Sequence, residues 1–204
     1  MNQMTIRTGE EWGEAVDSAP EGTRTAFTDR DVAQALEDRH PVLVRGGTLH
    51  DSLGSPVGDA VTRRLPIDLV EVVDTSSETR IAASVANISV SLRGPLRHWR
   101  GRIIVVTNCG ECAGVRPCPR AHPNDGVLDV LEVDASMTLF QRRLAWKRAI
   151  SGSHLPHPSL SVWSGAKFCL TVQPNEQIIV DGVDLKFTGD VELRVVADSG
   201  EIFI

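Results

Sequence analysis

Aromatic side chains are scarce in this sequence, which has no tyrosine, five phenylalanines and four tryptophans among 204 residues. So few rings argue against a surface on which the bases of single-stranded nucleic acid stack. The formal net charge of -6 and the isoelectric point near 5.5 also argue against nucleic-acid binding. We therefore predict no nucleic-acid partner.

Long apolar runs and a secretion signal are missing as well. No apolar stretch reaches the roughly 20 residues that a membrane-spanning helix needs. The first residues, MNQMTIRTGEEWGEAV, lack the basic-then-apolar order of a signal peptide. We therefore predict a cytoplasmic protein, in which disulfide bonds are uncommon.

Short alternating segments dominate the chain from residue 66 onward. Apolar and polar residues alternate in PIDLVEVVD (66–74) and RIAASVANISV (80–90), and Asn, Asp and Gly separate such segments. One helix is predicted over residues 136–152, with Ser136 as its candidate N-cap. This pattern is typical of a two-layer antiparallel β-sandwich with one inserted helix.

A shorter upstream segment combines strands and helices. TRTAFT (23–28) and VLVR (42–45) have the texture of strands, and the residues between them have helical spacing, with Asp29 as the expected N-cap. The fold class is therefore mainly β, α+β overall, with a short α/β remnant before the sandwich. The predicted domains are a polar arm (1–22), the α/β remnant (23–60) and the main sandwich domain (61–204).

Two Asp-Gly turns and one Gly-Gly-Thr segment are the most specific motifs. They are AHPNDGVLDVLEV (121–133), IIVDGVD (178–184) and VLVRGGTLHDSLGSP (42–56). Together they resemble the C-terminal domain of the diacylglycerol kinase family of lipid kinases, which is related to NAD kinases. In that family an Asp-Gly pair opens a strand, an Asp-Gly-Glu turn joins two strands and a Gly-Thr segment follows a strand. The resemblance covers residues 25–204 and implies a lipid-kinase-like sandwich.

The resemblance also implies functional positions, and this sequence alters two of them. The family's Gly-Gly-Asp-Gly-Thr loop corresponds to AFTDR (26–30), which has no glycine, so its side chains would crowd a triphosphate and Asp29 would repel it. The family's candidate general base, the Glu of Asp-Gly-Glu, corresponds to Val183. We therefore name no catalytic residue and expect no ATP. The ligand contacts that the resemblance implies are Gly46, Gly47, Thr48, Asp181 and Asp184.

Cys109, Cys112, Cys118 and His122 form a C-x2-C-x5-C-x3-H array. Three thiolates and one imidazole are a ligand set that zinc accepts. Two of the cysteines could instead form a redox pair, and free thiols in a loop between strands are the third interpretation. All three interpretations stay open at this point.

Asp125 is a second candidate metal ligand. The resemblance implies a structural magnesium, as in some bacterial lipid kinases, held by Asp125 with the backbone carbonyls of Val127 and His122, because oxygen ligands suit this ion. The alternative is an Asn-Asp-Gly turn whose side chains bond their own backbone.

Basic residues cluster on the predicted helix and in LRHWRGR (96–102), close to Trp99 and Trp146. Such a surface could meet anionic lipid head groups, and a solvated amphipathic helix is the alternative. The basic residues of the helix are Arg142, Arg143, Lys147 and Arg148.

Three functions follow from these observations. The leading hypothesis is a non-catalytic module that binds a small molecule, a lipid head group or a protein partner. The second is a lipid or small-molecule kinase component whose nucleotide loop comes from a partner chain, and the third is a zinc-stabilised interaction protein. The edges of such sheets can pair with a second chain, which predicts a homo-oligomer.

Overall fold

Residues 12–54 and 63–204 are described by the computed structural model, and strands outnumber helices among them. Residues 1–11 of the predicted polar arm and 55–60 of the predicted remnant lie outside the described residues. The helices are α1 (Asp29–Glu37), α2 (Thr48–Ser52) and α3 (Leu139–Ala149). The strands are β1 (Glu14–Ala15), β2 (Arg24–Ala26), β3 (Val42–Val44), β4 (Arg63–Asp74), β5 (Thr79–Ser84), β6 (Asn87–Leu92), β7 (Ile103–Thr107), β8 (Leu128–Val133), β9 (Leu160–Gly165), β10 (Lys167–Val172), β11 (Glu176–Val180), β12 (Val183–Asp184) and β13 (Gly189–Phe203).

The strands form two sheets. In the first sheet β4 and the long β13 pair antiparallel, and β1, β5 and β10 pair with them. The same sheet continues through β3, which is parallel to β13, and β2, which is parallel to β3. The second sheet is antiparallel, in the order β12-β11-β6-β7-β8-β9. The predicted fold class, a mainly β sandwich of two layers with few helices, is confirmed, and the strands of the predicted remnant extend its first sheet.

The two sheets pack face to face through aliphatic side chains. Alternate residues point into the shared core, such as Val70 and Val72 from β4 and Ile104 and Val106 from β7. Ile103 is buried on the opposite face of β7. This second burial arises because α3 and the loop that carries three cysteines (the cysteine loop, residues 108–123) cover the outer face of the second sheet.

Three local predictions from the sequence were wrong. Thr28, not Asp29, is the N-cap of α1, because its hydroxyl accepts the Asp31 N–H at 3.2 Å. α3 begins after Thr138, which forms a capping box with Gln141, and not after Ser136. RIAASVANISV forms two strands, β5 and β6, rather than one.

No helix in residues 12–54 or 63–204 has both the length and the hydrophobicity needed to cross a bilayer.

Candidate functional site

The predicted Gly46-Gly47-Thr48 contact lies between β3 and α2. The backbone N–H groups of Thr48 and Leu49 donate to the two carboxylate oxygens of Asp29, at 2.8 and 2.9 Å. N–H groups at the start of a helix have no partner within the helix and commonly bind anions. The Asp29 carboxylate therefore takes the place of an external anion at the start of α2.

Gly47 is fitted closely to this carboxylate. Its φ of +93° lies in the region that side chains disfavour, and a Cβ at this position would lie 2.5 Å from Asp29 Oδ1. Glycine at residue 47 thus allows Asp29 to reach the amides of α2. In the structure Gly47 serves this internal contact, and the ligand contact that the resemblance implies for it stays a prediction.

Asp181 stabilises the turn between β5 and β6 through hydrogen bonds. Its carboxylate accepts hydrogen bonds from Ser84 Oγ at 2.8 Å and from the backbone N–H groups of Val85 at 2.9 Å and Asn87 at 2.8 Å. The Ala86 N–H adds a longer bond of 3.3 Å. Both oxygens are engaged, so the predicted ligand contact at Asp181 is occupied by the chain itself.

The environment of Asp181 disfavours its charge. Burial raises the pKa of this carboxyl to about 6, and the charge of Asp29 adds to the rise, against the hydrogen bonds from the turn. The same interaction shows that Asp29 and Asp181 lie in one neighbourhood. The structure thus brings together the Gly-Gly-Thr turn, Asp29 and Asp181.

Asp184 belongs to a different set of contacts. Its carboxylate pairs with Lys186 and, at 3.6 Å, with Arg93. The hydrogen bond from the Lys186 ammonium is the largest cause that lowers the pKa of Asp184. Asp184 thus forms a surface ion pair at the end of β12, and the ligand contact there stays a prediction.

Asp125 forms the turn that was the alternative to a magnesium site. Its Oδ1 accepts the Val127 N–H at 3.0 Å. Burial raises the pKa of Asp125 to about 6, and the charges of Asp129 and Asp68 add to this rise. The magnesium site stays a prediction, since the contacts of Asp125 are those of a self-bonded turn.

Asp68 is a buried acid that the sequence analysis missed. Its carboxylate accepts the N–H groups of Gly126 at 2.7 Å and Asp198 at 2.9 Å, and Asn124 donates to both Asp68 and Asp198. Burial is the main cause that raises its pKa. Asp68 thus ties the Asn-Asp-Gly turn to β4 and to the irregular middle of β13. An acid within the apolar segment PIDLVEVVD was the signal that could have revealed it.

The structure does not assemble the predicted zinc ligands. Cys109 packs in the cluster under α1, whereas Cys118 packs with Leu131 and Met137 outside the second sheet. The His122 ring packs edge-on against Trp12, with centroids 4.6 Å apart, and its Nδ1 accepts the Asn124 N–H. In the described part of the chain no three His, Cys, Asp or Glu residues are placed to hold a metal ion.

The thiols of the cysteine loop are held in their protonated form. Burial raises the pKa of Cys109 and Cys118 to about 12 and that of Cys112 to about 11, while Cys169 is exposed. We expect iodoacetamide at pH 8 to label Cys169 in the folded protein and to leave the other three unmodified, because the thiolate is the reactive form. Peptide mass mapping measures this. Labelling of Cys109 or Cys112 at the rate of Cys169 would contradict the assignment.

A cavity of about 140 Å³ lies between α3, the cysteine loop and the outer face of the second sheet. Val105, Leu131 and Val133 line it from the sheet, and Ala145 lines it from α3. The continuous apolar run of β7 was its signal in the sequence, because a strand covered on both faces does not alternate.

Arg142 is the one strongly polar group of α3 that faces inward. Its guanidinium is buried and donates to the backbone carbonyls of Met137 at 3.0 Å, Asp134 at 2.9 Å and Gly101. The bond to Gly101 holds α3 against the loop of residues 94–101, and the other two bonds hold it to the segment that precedes the helix. Arg142 is therefore not part of the solvated basic face that the sequence suggested.

Comparison with known proteins agrees with this geometry. A family model described as the YegS C-terminal NAD kinase beta sandwich-like domain matches residues 79–199, more than half of the chain. No curated protein matches the chain.

Solved structures share the fold at low sequence identity. A candidate diacylglycerol kinase from Bacillus anthracis strain Sterne has a TM-score of 0.64 at 9% identity, over 89% of this chain and 77% of that one. A diacylglycerol kinase from the same strain has a TM-score of 0.60 at 12% identity, over 89% of this chain and 75% of that one. The predicted resemblance to the C-terminal domain of lipid kinases is confirmed. The chain belongs to the family of C-terminal, NAD-kinase-like β-sandwich domains represented by YegS.

Proposed function

We propose that the chain is a non-catalytic lipid-kinase-like domain that binds a small apolar ligand. The observation that carries the first part is the Asp29 carboxylate on the N–H groups of Thr48 and Leu49. A nucleotide phosphate at that position would have to displace an anion that is already covalently part of the chain. As long as Asp29 stays in place, the N–H groups of Thr48 and Leu49 cannot bind the phosphate of a nucleotide.

The second support concerns proton transfer. A general base must be a titratable group within hydrogen-bond reach of the substrate hydroxyl. Val183, at the position of the family's Glu, cannot accept a proton, and Asp184 is paired with Lys186 and Arg93. The carboxylate of Asp181 is buried in the turn between β5 and β6. These three residues leave no free base at the Asp-Gly turn.

The cavity under α3 supports the binding part of the proposal. Its volume of about 140 Å³ is close to that of an engineered apolar cavity, about 150 Å³, that takes up benzene. Drug-sized ligands occupy pockets of roughly 300 Å³ or more. The cavity therefore suits a single ring or a short alkyl chain, and a whole diacylglycerol exceeds it.

One set of titrations tests both parts. We expect no heat beyond dilution when millimolar Mg-ATP is titrated into the protein, whereas saturating benzene should raise the melting temperature, because a ligand that binds only the folded state stabilises it. Ala145→Leu, which fills the cavity, should abolish the benzene effect, and Arg143→Ala, on the exposed side of α3, should keep it. Micromolar Mg-ATP binding would instead support the kinase hypothesis. An unchanged melting temperature with benzene would refute the ligand part.

A further inference from the structure

The outward face of α3 is unusually apolar for a surface helix. Phe140 is 77% exposed, Ile150, just after the helix, is 58% exposed and Leu139 is 57% exposed. Trp146 and Leu144 are also exposed, whereas Arg142 points inward. A helix at the surface of a soluble domain normally turns its apolar side chains inward, whereas α3 leaves these large apolar side chains exposed.

Basic side chains are interleaved with these apolar groups. Arg143, Lys147 and Arg148 are exposed, and the helix sequence LFQRRLAWKRA contains no acidic residue. The whole chain has a formal charge of -6. The positive charge of α3 is therefore a local concentration on an acidic protein.

The loop of residues 94–101 extends the same surface. Its sequence, GPLRHWRG, also lacks acidic residues, and Leu96 and Trp99 are exposed. Two contacts place it beside α3: the His98 and Trp146 rings lie 6.1 Å apart, and Arg142 donates to the Gly101 carbonyl. We call α3 and this loop together the basic-apolar face.

We propose that the basic-apolar face docks on an anionic lipid bilayer. Apolar side chains that alternate with Lys and Arg, with tryptophan among them, match the layers of a membrane surface: acyl chains inside, head groups at the level of the rings, and phosphates outside. The absence of acidic residues from both segments removes the repulsion that anionic head groups would otherwise meet. This proposal does not depend on the cavity: Trp146 and His98 line the cavity as well, but Leu139, Phe140 and Ile150, the most exposed apolar groups of the face, do not.

Vesicle co-sedimentation of the full chain tests the proposal. We expect binding to phosphatidylcholine vesicles that contain phosphatidylserine, little binding to phosphatidylcholine alone, and weaker binding at high salt. Arg143→Glu with Lys147→Glu should reduce the bound fraction at least about tenfold. Phe140→Ser should reduce it as well at low salt, because an exposed apolar contact is lost while the charge stays the same.

A double variant with the same change in charge distinguishes the effect of the basic-apolar face from that of the protein's net charge. Arg30→Glu with Lys167→Glu makes the same change in charge on α1 and β10, and it should bind nearly as well as the unchanged protein. Far-UV circular dichroism and melting temperatures confirm that each variant is folded. Equal loss in both double variants would overturn the proposal, and so would absence of binding to phosphatidylserine vesicles. Binding to an acidic polypeptide without binding to vesicles would also overturn it, in favour of a protein partner.

Discussion

Asp181→Ala is expected to lower the free energy of unfolding by about 3–5 kcal/mol, since three backbone N–H groups, two of them on buried residues, and one buried hydroxyl lose their acceptor. The four donors lie on Ser84, Val85, Ala86 and Asn87, and the first three of these residues are almost fully buried. Water cannot easily replace the carboxylate there. A loss of this size is a large part of the stability of a domain, about 5–15 kcal/mol. Urea denaturation of the variant and the unchanged protein measures it.

Asp184→Ala is the matched control. It removes a carboxylate three residues further along, but its partners, Lys186 and Arg93, are exposed cations. Surface ion pairs of this kind contribute about 0–1 kcal/mol. Equal effects of the two substitutions would show that Asp181 does not hold the β5–β6 turn.

The pH dependence gives a second measure of Asp181. Because burial raises its pKa to about 6, the folded state keeps a proton that the unfolded chain has already released. The part of the free energy of unfolding that comes from this raised pKa is therefore complete below about pH 4, and it is lost as the pH rises through about 6. Asp181→Asn retains the size and removes the titration, so the stability difference between the two proteins should change between pH 4 and 7. A constant difference would contradict the raised pKa.

Asp29→Ala is expected to lower the free energy of unfolding by about 2–3 kcal/mol, because the N–H groups of Thr48 and Leu49 lose the carboxylate to which they donate. Asp29 is buried beside the Gly-Gly-Thr turn, and its bonds join α1 to α2. Asp31→Ala is the control, since Asp31 is exposed in the first turn of the same helix and such charges contribute about 0.3–1 kcal/mol. Thermal denaturation distinguishes them. A smaller loss for Asp29 than for Asp31 would mean that the start of α2 does not need the carboxylate.

The sandwich could be predicted because its signals are local. Alternation in PIDLVEVVD marks a strand, and the Asp-Gly turns identify the family. The break between β5 and β6 could not be predicted, because Asp181, which is far away in sequence, supplies the hydrogen bonds of that turn. Asp29 was predicted to repel a phosphate, but its contact with α2 depends on tertiary packing.

The cysteine array shows the limit of spacing arguments. Its pattern permits zinc, but Cys109 and Cys118 fall into separate apolar clusters. The sequence also did not show which side of α3 packs inward. Arg142 is turned inward by the carbonyls of Met137, Asp134 and Gly101, which bind its guanidinium. The Thr138–Gln141 capping box has a sequence signature, T-x-x-Q, that could have placed the start of α3 where Ser136 was predicted as N-cap.

Phosphoryl transfer tests the proposed loss of catalysis most directly. The purified chain would be incubated with γ-labelled ATP, magnesium and diacylglycerol in mixed micelles, with a known lipid kinase as positive control. Because Asp29 occupies the amides at α2 and Val183 replaces the base, we predict no labelled phospholipid above the protein-free background. Labelled phospholipid that forms in proportion to the protein concentration would contradict the proposal.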